Sequence, residues 1–319
     1  MLLLNWMSLM MFRTMILNGF KTIKQTYNKL KSVLSDFIEI SDELFLQLGR
    51  MITERFGIKM PLEKKIMLQT RLRRRLRELD IHSFDEYAAR LFTNSNESTE
   101  FDLLADYIST NKTEFFREKD HFDFLNSVIF PEYLKNSRSA LFPQMKIWSA
   151  GCSSGQEAYS TGIQLEEFMR ENDVRFDYSI MATDISGKML KAAKEAVYPM
   201  SQVEEMTLGL KRRYFLKSKN EKDPKVRVIK QIRDKVRIGY VNLMDGWYPF
   251  QTQFDIIFLR NTLIYFDPKV QLKVLVKILN SLKTGGYLFI GHSESLINLH
   301  LPIRSIAPSV YIKINTEGL

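Results

Sequence analysis

Residues 148–160 read WSAGCSSGQEAYS, a short apolar run giving way to small residues bracketed by Gly151 and Gly155, with Glu157 where a helix should begin. A strand ending at Ala150, a turn with little side-chain bulk and a helix from about Gln156 make the strand-turn-helix unit of α/β sheets. Lacking Cβ atoms, the two glycines would let backbone amides approach a ligand closely. The next apolar run, YSIMATDI, carries Asp184 at its carboxyl tip, where an acid in such sheets commonly takes two ribose hydroxyls. Together they fit a nucleoside site, although G-x-x-x-G turns occur in many folds and an Asp at a strand end is often a helix cap. The loop is neither the dinucleotide fingerprint G-x-G-x-x-G nor a phosphate loop with Gly-Lys-Ser/Thr, which disfavours NAD and ATP.

Further runs, MKIWSAG, KVRIGYVNL, FDIIFLRN, GYLFIGHS and SVYIKIN, are short and mostly apolar, as buried strands of a parallel sheet should be. Helical stretches follow Gln156, Ser186 and Pro268, so a doubly wound α/β domain is expected, with ligands beyond the carboxyl ends of its strands. Between Tyr198 and Lys235 the chain turns strongly charged. Two β-type pieces, RRYFL and VRVIK, flank KSKNEKDPK there, and a small antiparallel β subdomain inserted at about residues 198–238 is expected.

Upstream the period becomes helical. Leu44, Leu48, Ile52 and Phe56 recur every fourth residue, with Ser41 as cap and Gly57 as stop. A second helix opens with Pro61 in its first turn; Leu68, Leu72, Leu76 and Leu79 make its apolar stripe, while Arg71, Arg73, Arg74, Arg75 and Arg77 cover the other faces. Ser83 and Glu86 form a capping-box pattern before a third helix with Phe84, Tyr87 and Leu91. A fourth, near Thr99 to Ile108, shows Phe101, Leu104 and Ile108, completing a small all-α domain.

A chain of 319 residues, 45% hydrophobic and 26% charged, is long enough for two domains, or one with additions. Cys152, the only cysteine, leaves no intrachain disulfide and no thiolate cluster for zinc, and a reducing, cytoplasmic home is expected. No nearby motif supplies an activating partner, so Cys152 reads as a small packing residue. A formal charge of +9 and a pI near 9.4 predict an acidic partner: nucleic acid, a membrane surface or an acidic protein face. The opening MLLLNWMSLMMFRTMIL is broken by Asn5, Ser8, Arg13 and Thr14, whereas a span needs about 20 mostly apolar residues. It lacks the leading cations and cleavage site of a secretory signal. Residues 1–40 read as a poorly ordered extension or a misplaced start, with an amphipathic surface anchor as the rival.

Three pieces complete the pattern: NKTEFFRE at 111–118, FLRNTLIYFD at 258–267 and GGYLFIGHSESL at 285–296. With GCSSGQEAYS and ATDIS, in this order after a basic helical bundle, the chain over about residues 41–315 resembles the chemotaxis-receptor methyltransferases, the CheR family. The resemblance implies a helical domain (41–110) followed by a class I, Rossmann-like S-adenosylmethionine-dependent methyltransferase domain (111–319) carrying the inserted β subdomain. It further implies methylation of glutamate side chains on receptor cytoplasmic helices, with S-adenosylhomocysteine as product and no metal.

Carried over by motif, cofactor contacts fall on Asn111, Thr113, Arg117, Glu157, Asp184, Asn242, Leu243, Arg260 and Asn261, with Gly151 added from the loop reading, while Arg117 and Tyr265 come nearest the reacting carboxylate. The family usually has Glu-Glu-Pro where Gln156, Glu157 and Ala158 stand, and a Cys or similar residue at Leu259; Thr262 replaces a common valine. Glu157 is retained, so the change at 156 bears on the helix start. His292 and Glu294 read as stabilising a strand end.

Receptor methylation regions are acidic bundles, so the resemblance makes Arg71, Arg73, Arg74 and Arg77 the candidate docking face. In some members the inserted subdomain takes a receptor C-terminal tail peptide onto its sheet edge. Here no glycine lies between Leu210 and Ile238 to make a tight turn. A cytoplasmic monomer recruited to membrane receptors is expected, with no nucleic acid. Two rivals are a nucleic-acid methyltransferase, which lacks here an Asn/Asp-Pro-Pro-aromatic motif or a Pro-Cys pair, and a noncatalytic scaffold that senses the cofactor.

Overall fold

The computed structural model describes residues 39–93, 98–136, 144–296 and 299–315, so the expectation for residues 1–40 lies almost wholly outside the described residues. Among those searched, no helix is long and apolar enough to cross a membrane. The described residues form two compact units, one of 39–50 with 60–93, the other of 51–59 with those from 98 onward.

Helix α1 (Asp42–Phe56) is capped as expected, the Ser41 hydroxyl accepting from the Leu44 amide at 3.1 Å, and Gly57 follows its last turn. Pro61 precedes a 3-10 turn (Leu62–Lys64) instead of lying in the first turn of α2 (Lys65–Leu79). In α2, Leu68, Leu72 and Leu76 are buried and Leu79 is half-buried; α3 (Phe84–Thr93) buries Phe84, Tyr87 and Leu91. Its capping box is one-sided. Ser83 Oγ accepts from the Glu86 amide at 3.1 Å, but the Glu86 carboxylate is met by the amide of His82, at 3.5 Å, in place of that of Ser83.

In the second unit α4 (Ser98–Ile108) buries Phe101, Leu104 and Ile108, and α5 (Lys119–Phe124) runs through a π-helical stretch into α6 (Phe130–Asn136). Then come β1 (Gln144–Ala150), α7 (Gln156–Glu171), β2 (Asp177–Asp184), α8 (Gly187–Glu195), β3 (Val197–Pro199), α9 (Leu208–Tyr214), β4 (Phe215–Lys217), β5 (Lys225–Val228) and α10 (Lys230–Arg233). The chain continues through β6 (Val236–Tyr240), β7 (Phe254–Leu259), α11 (Pro268–Asn280), β8 (Leu282–Ile290), β9 (Ile303–Ala307) and β10 (Val310–Lys313). The main sheet has the order β6-β2-β1-β7-β8-β10-β9. All pairings from β6 to β8 are parallel, and β10 runs antiparallel to both its neighbours. Ile147 on central β1 pairs with Ile180 and Ile256, and apolar clusters cover both faces, one around Ile147, Phe168 and Phe258, the other around Trp148, Ile257 and Ile278.

The inserted sheet is smaller and differently bounded than the sequence suggested. Its order is β3-β5-β4, and residues 218–224 close β4 to β5 without glycine, Lys222 donating its amide to Asn220 Oδ1 at 3.0 Å. Arg212, Arg213 and Tyr214, read from sequence as β, belong to α9, which Thr207 caps by accepting from the Leu210 amide at 3.3 Å. β6 pairs with β2 through Val236 and Ile180, so the residues from 236 to 238 belong to the main sheet. Phe115 packs edge-on against Tyr198 and Phe215, with ring centroids 5.0 and 5.4 Å apart. On α7, Glu167 accepts from Arg213 Nη2 and the Tyr214 hydroxyl, both at 2.6 Å, tying the insert to the main domain.

Candidate active site

Parallel strands place their carboxyl tips along one edge of the sheet, and the residues leaving β1, β2, β6 and β7 converge there. They line a cleft of about 1010 Å3, counting its open mouth. Asn111, Thr113, Arg117, Gly151, Glu157, Asp184, Asn242, Leu243, Arg260, Asn261 and Tyr265 all line it. Arg71, Arg73, Arg74 and Arg77 do not; they lie on α2, in the helical unit.

The glycine loop is built differently from the sequence reading. Gly151 has φ +78°, and a Cβ there would fall 2.6 Å from Thr262 Oγ1; Gly155 has φ +94°, and its Cβ would meet that of Ala193 at 3.0 Å. Both glycines are thus demanded by the turn and its packing, and Gly155 does not line the cleft. The amides of Gly151 and Cys152 donate to the Thr183 carbonyl at 2.8 and 2.9 Å, so they tie the loop to β2. Cys152 is buried, and burial pushes its thiol well above the ordinary range, as suits a packing residue.

Asp184 accepts the Ser153 amide at Oδ2 (2.8 Å) and the Ser186 amide at Oδ1 (2.9 Å). Burial raises its pKa, and the amide donors pull the other way. With backbone donors from Ser153, Ser186 and Ile185, the carboxylate keeps capacity for a further hydrogen bond, so it can brace the loop and still accept from a ribose hydroxyl. This set of hydrogen-bonding groups, at the carboxyl edge of the sheet, fits a nucleoside cofactor.

The centre of the site is a charge cluster that the sequence did not disclose. Arg260, its side chain 2% exposed, donates from Nη1 to Glu157 (3.0 Å), from Nε and Nη2 to Glu118 (3.2 and 3.0 Å), and from Nη2 to the Arg117 carbonyl. Glu157 also accepts from Ser149 Oγ at 2.6 Å. Burial pushes the Glu118 carboxyl up, but the charge and hydrogen bonds of Arg260 more than offset this and hold it below the ordinary value. Phe116 and Glu118, either side of Arg117, both have positive φ (53° and 56°), as does Asn261 (55°), marking backbone held in a sparsely populated region. Arg117 donates from Nη1 to the Lys112 carbonyl at 3.0 Å.

Glu118, His121 and His292 each bring one possible metal-ligating atom within 4.8 Å of the others. There the guanidinium of Arg260 already provides the positive partner of Glu118. His121 is buried, and burial together with the Arg260 charge lowers its pKa to about 4, so its ring is neutral at physiological pH. Glu294, read from sequence as bracing a strand end, accepts the amides of Gly291 (2.7 Å), Asn261 (2.9 Å) and Ile264 (3.1 Å). It thereby pins the tips of β7 and β8 and the turn carrying Tyr265, whose carbonyl accepts the Lys59 amide at 2.9 Å. Apolar walls from Phe56, Ile58, Val241 and Phe266 were also unforeseen; only spatial proximity marks them.

A doubly wound sheet with an acid at the tip of its second strand and a cleft over its carboxyl edge is the architecture of an enzyme that binds a nucleoside cofactor. The family description "CheR methyltransferase, SAM binding domain" matches residues 111–311, and "CheR methyltransferase, all-alpha domain" matches residues 43–109. The chemotaxis protein methyltransferase of Borreliella burgdorferi is 37% identical over 276 residues, which cover 86% of this chain and 96% of that one. Chemotaxis protein methyltransferase 2 of Pseudomonas aeruginosa is 33% identical, over 84% of this chain and 92% of its own. The Escherichia coli chemotaxis protein methyltransferase is 31% identical, over 87% and 93%. The chain belongs to the CheR methyltransferase family, and its activity is S-adenosylmethionine-dependent methylation in chemotaxis.

Proposed function

We propose that this protein transfers the methyl group of S-adenosylmethionine to glutamate side-chain carboxylates in the cytoplasmic methylation region of chemotaxis receptors, leaving methyl esters and S-adenosylhomocysteine. The supporting observation is that the candidate cofactor residues and Tyr265 line one cleft, with Arg117 and Tyr265 both at it. When bound, the cofactor supplies an electrophilic methyl on a sulfonium. A glutamate side chain, with an ordinary pKa of about 4.3, is already ionised at neutral pH, so the protein need supply no general base. Its tasks are alignment and exclusion of water, since attack at about 3 to 3.5 Å gains most from orientation.

Asp184 and the Asn242–Leu243 rim hold the nucleoside, and Arg260, locked between Glu118 and Glu157, fixes the backbone that carries Arg117. Arg117 and Tyr265 orient the incoming carboxylate. Arg117 is tethered to a backbone carbonyl, which limits how tightly it grips the ground state.

The arginine face of α2 is the proposed receptor contact. Ile66, 75% exposed, lies seven and eleven residues before Arg73 and Arg77, on the same helical face, offering an apolar contact among cations. Docking there would bring a cytoplasmic monomer to the membrane receptors. The insert's edge is the proposed seat of a receptor tail peptide.

The test is incubation with methyl-labelled S-adenosylmethionine and receptor cytoplasmic fragments, followed by mild base. Base-labile label on glutamate supports the reading, with Arg117→Ala and Tyr265→Phe folded but slow. Cofactor binding without transfer to any fragment would favour the scaffold.

A further inference from the structure

Val241 continues the β6–β2 pairing, its amide donating to the Asp184 carbonyl at 3.3 Å, but Asn242 and Leu243 leave β6 as a loop, so something other than strand pairing must fix them. Lys277 on α11 supplies that fixation. Its Nζ donates to the Leu243 carbonyl at 2.6 Å and to the Asp245 carbonyl, and it lies 5.1 Å from the Tyr248 ring centroid. The buried Tyr248 hydroxyl donates to the same Leu243 carbonyl at 3.1 Å. Across this planar peptide the Met244 amide donates to Asn242 Oδ1 at 3.0 Å, and Asn242 Nδ2 donates to the Arg55 carbonyl at 2.8 Å. An ammonium on a helix behind the cleft therefore fixes, through one peptide, the orientation of an amide side chain lining it. Burial lowers the pKa of Lys277, so holding its charge there carries a cost, which the two carbonyls offset.

Which part of the cofactor meets this rim follows from the site's polarity, on the reading of the cleft as an S-adenosylmethionine site. The charge cluster of Arg260 with Glu118 and Glu157, together with Arg117, whose carbonyl Arg260 holds, lies at the tip of β7 and suits the amino-acid end, which carries charges of both signs. On the side of β6, next to β2 and Asp184, the apolar lining is Val241 and Phe56, which follows the Arg55 that meets Asn242, suited to a flat base beyond the ribose.

We propose that Lys277 is a positioning residue for the cofactor's purine, clamping the Leu243–Met244 peptide so that the Asn242–Leu243 rim reads the polar edge of the base. The test compares, by calorimetry, S-adenosylhomocysteine with its inosine counterpart, in which oxygen replaces the 6-amino group. Wild type should prefer adenine by roughly tenfold or more, the scale of one buried hydrogen-bond mismatch. Lys277→Met should cut the preference to about threefold or less, raise the cofactor KM about tenfold and leave kcat within about twofold, with Lys277→Arg restoring part of the preference. Tyr248→Phe, which removes one donor to the same carbonyl and keeps the ring, should fall between. A merely structural lysine would weaken both ligands alike. Undiminished preference in folded Lys277→Met and Tyr248→Phe proteins overturns the proposal. Equal affinity for the two ligands in wild type overturns it together with the placement of the base, and failure to bind either overturns the cofactor site itself.

Discussion

Replacing Glu118 with glutamine should cost this fold about 3 kcal/mol. The side chain stays nearly isosteric, but a buried guanidinium loses one of its two carboxylates. Arg260 makes two charge-assisted contacts to Glu118, at 3.0 and 3.2 Å, and its side chain is 2% exposed, so water cannot replace the missing anion. Stripping a partner from a buried ion pair costs about 3–5 kcal/mol, and the retained bond to Glu157 places this case at the lower end. Weaker contacts go too: Glu118 accepts the Asn261 side-chain amide at 3.4 Å and the His292 backbone amide at 3.3 Å. Urea unfolding at pH 7.5, read by both fluorescence and circular dichroism, gives the loss, and calorimetry should show weaker S-adenosylhomocysteine binding because Arg260 and Asn261 shift. A variant within about 0.5 kcal/mol of wild type would refute the reasoning, for such a value is typical of an exposed pair.

The Glu167 carboxyl should shape the acid limb of stability. Burial raises its pKa, but hydrogen bonds from Arg170, Tyr214 and Arg213 hold it down at about 2 from an ordinary 4.5. A depressed folded pKa contributes fully above the unfolded value and fades as pH falls from about 4.5 to about 2, at most about 3 kcal/mol in all. Melting curves from pH 7 to 3 should show wild type losing stability over that window more steeply than Glu167→Gln. Gly151→Ala forces an L-residue to φ +78° and a Cβ to 2.6 Å from Thr262 Oγ1; a loss of about 2 kcal/mol and weaker cofactor binding are expected, and an unchanged Tm would contradict the packing argument. Reversing Arg73, Arg74 and Arg77 to glutamate should lower kcat/KM for receptor fragments, most at low salt, and leave S-adenosylhomocysteine affinity unaltered; salt-independent wild-type kinetics would remove α2 from the docking surface.

The buried strands were legible because both faces of a doubly wound sheet are covered, which leaves continuous apolar runs at β1, β2 and β7. β9 was not, since its residues IRSIA are exposed or half-buried and carry no apolar run. RRYFL was misread because Tyr214 and Phe215 look β-forming in isolation. Thr207 caps a helix through Tyr214, and only Phe215 and Leu216 reach the strand. In the site, Gly151 and Asp184 could be reasoned out from their places at strand tips, whereas the other residues followed from resemblance. Glu118 stood inside a motif already singled out and was still missed, for its partner Arg260 lies 142 residues away and nothing local announces the pairing.

The three amides gathered by Glu294 also bear on how the protein comes into being at the ribosome. The tips of β7 and β8 and the turn bearing Tyr265 are secured by a carboxylate that emerges 30 residues or more after Asn261 and Ile264. A domain synthesised from its amino end can close β1, β2 and β6 around Asp184 early, yet the Arg260 corner stays unanchored until Glu294 has left the exit tunnel. Nascent chains stalled before that point should bind S-adenosylhomocysteine poorly, so competence for methyl transfer arrives late and abruptly in translation.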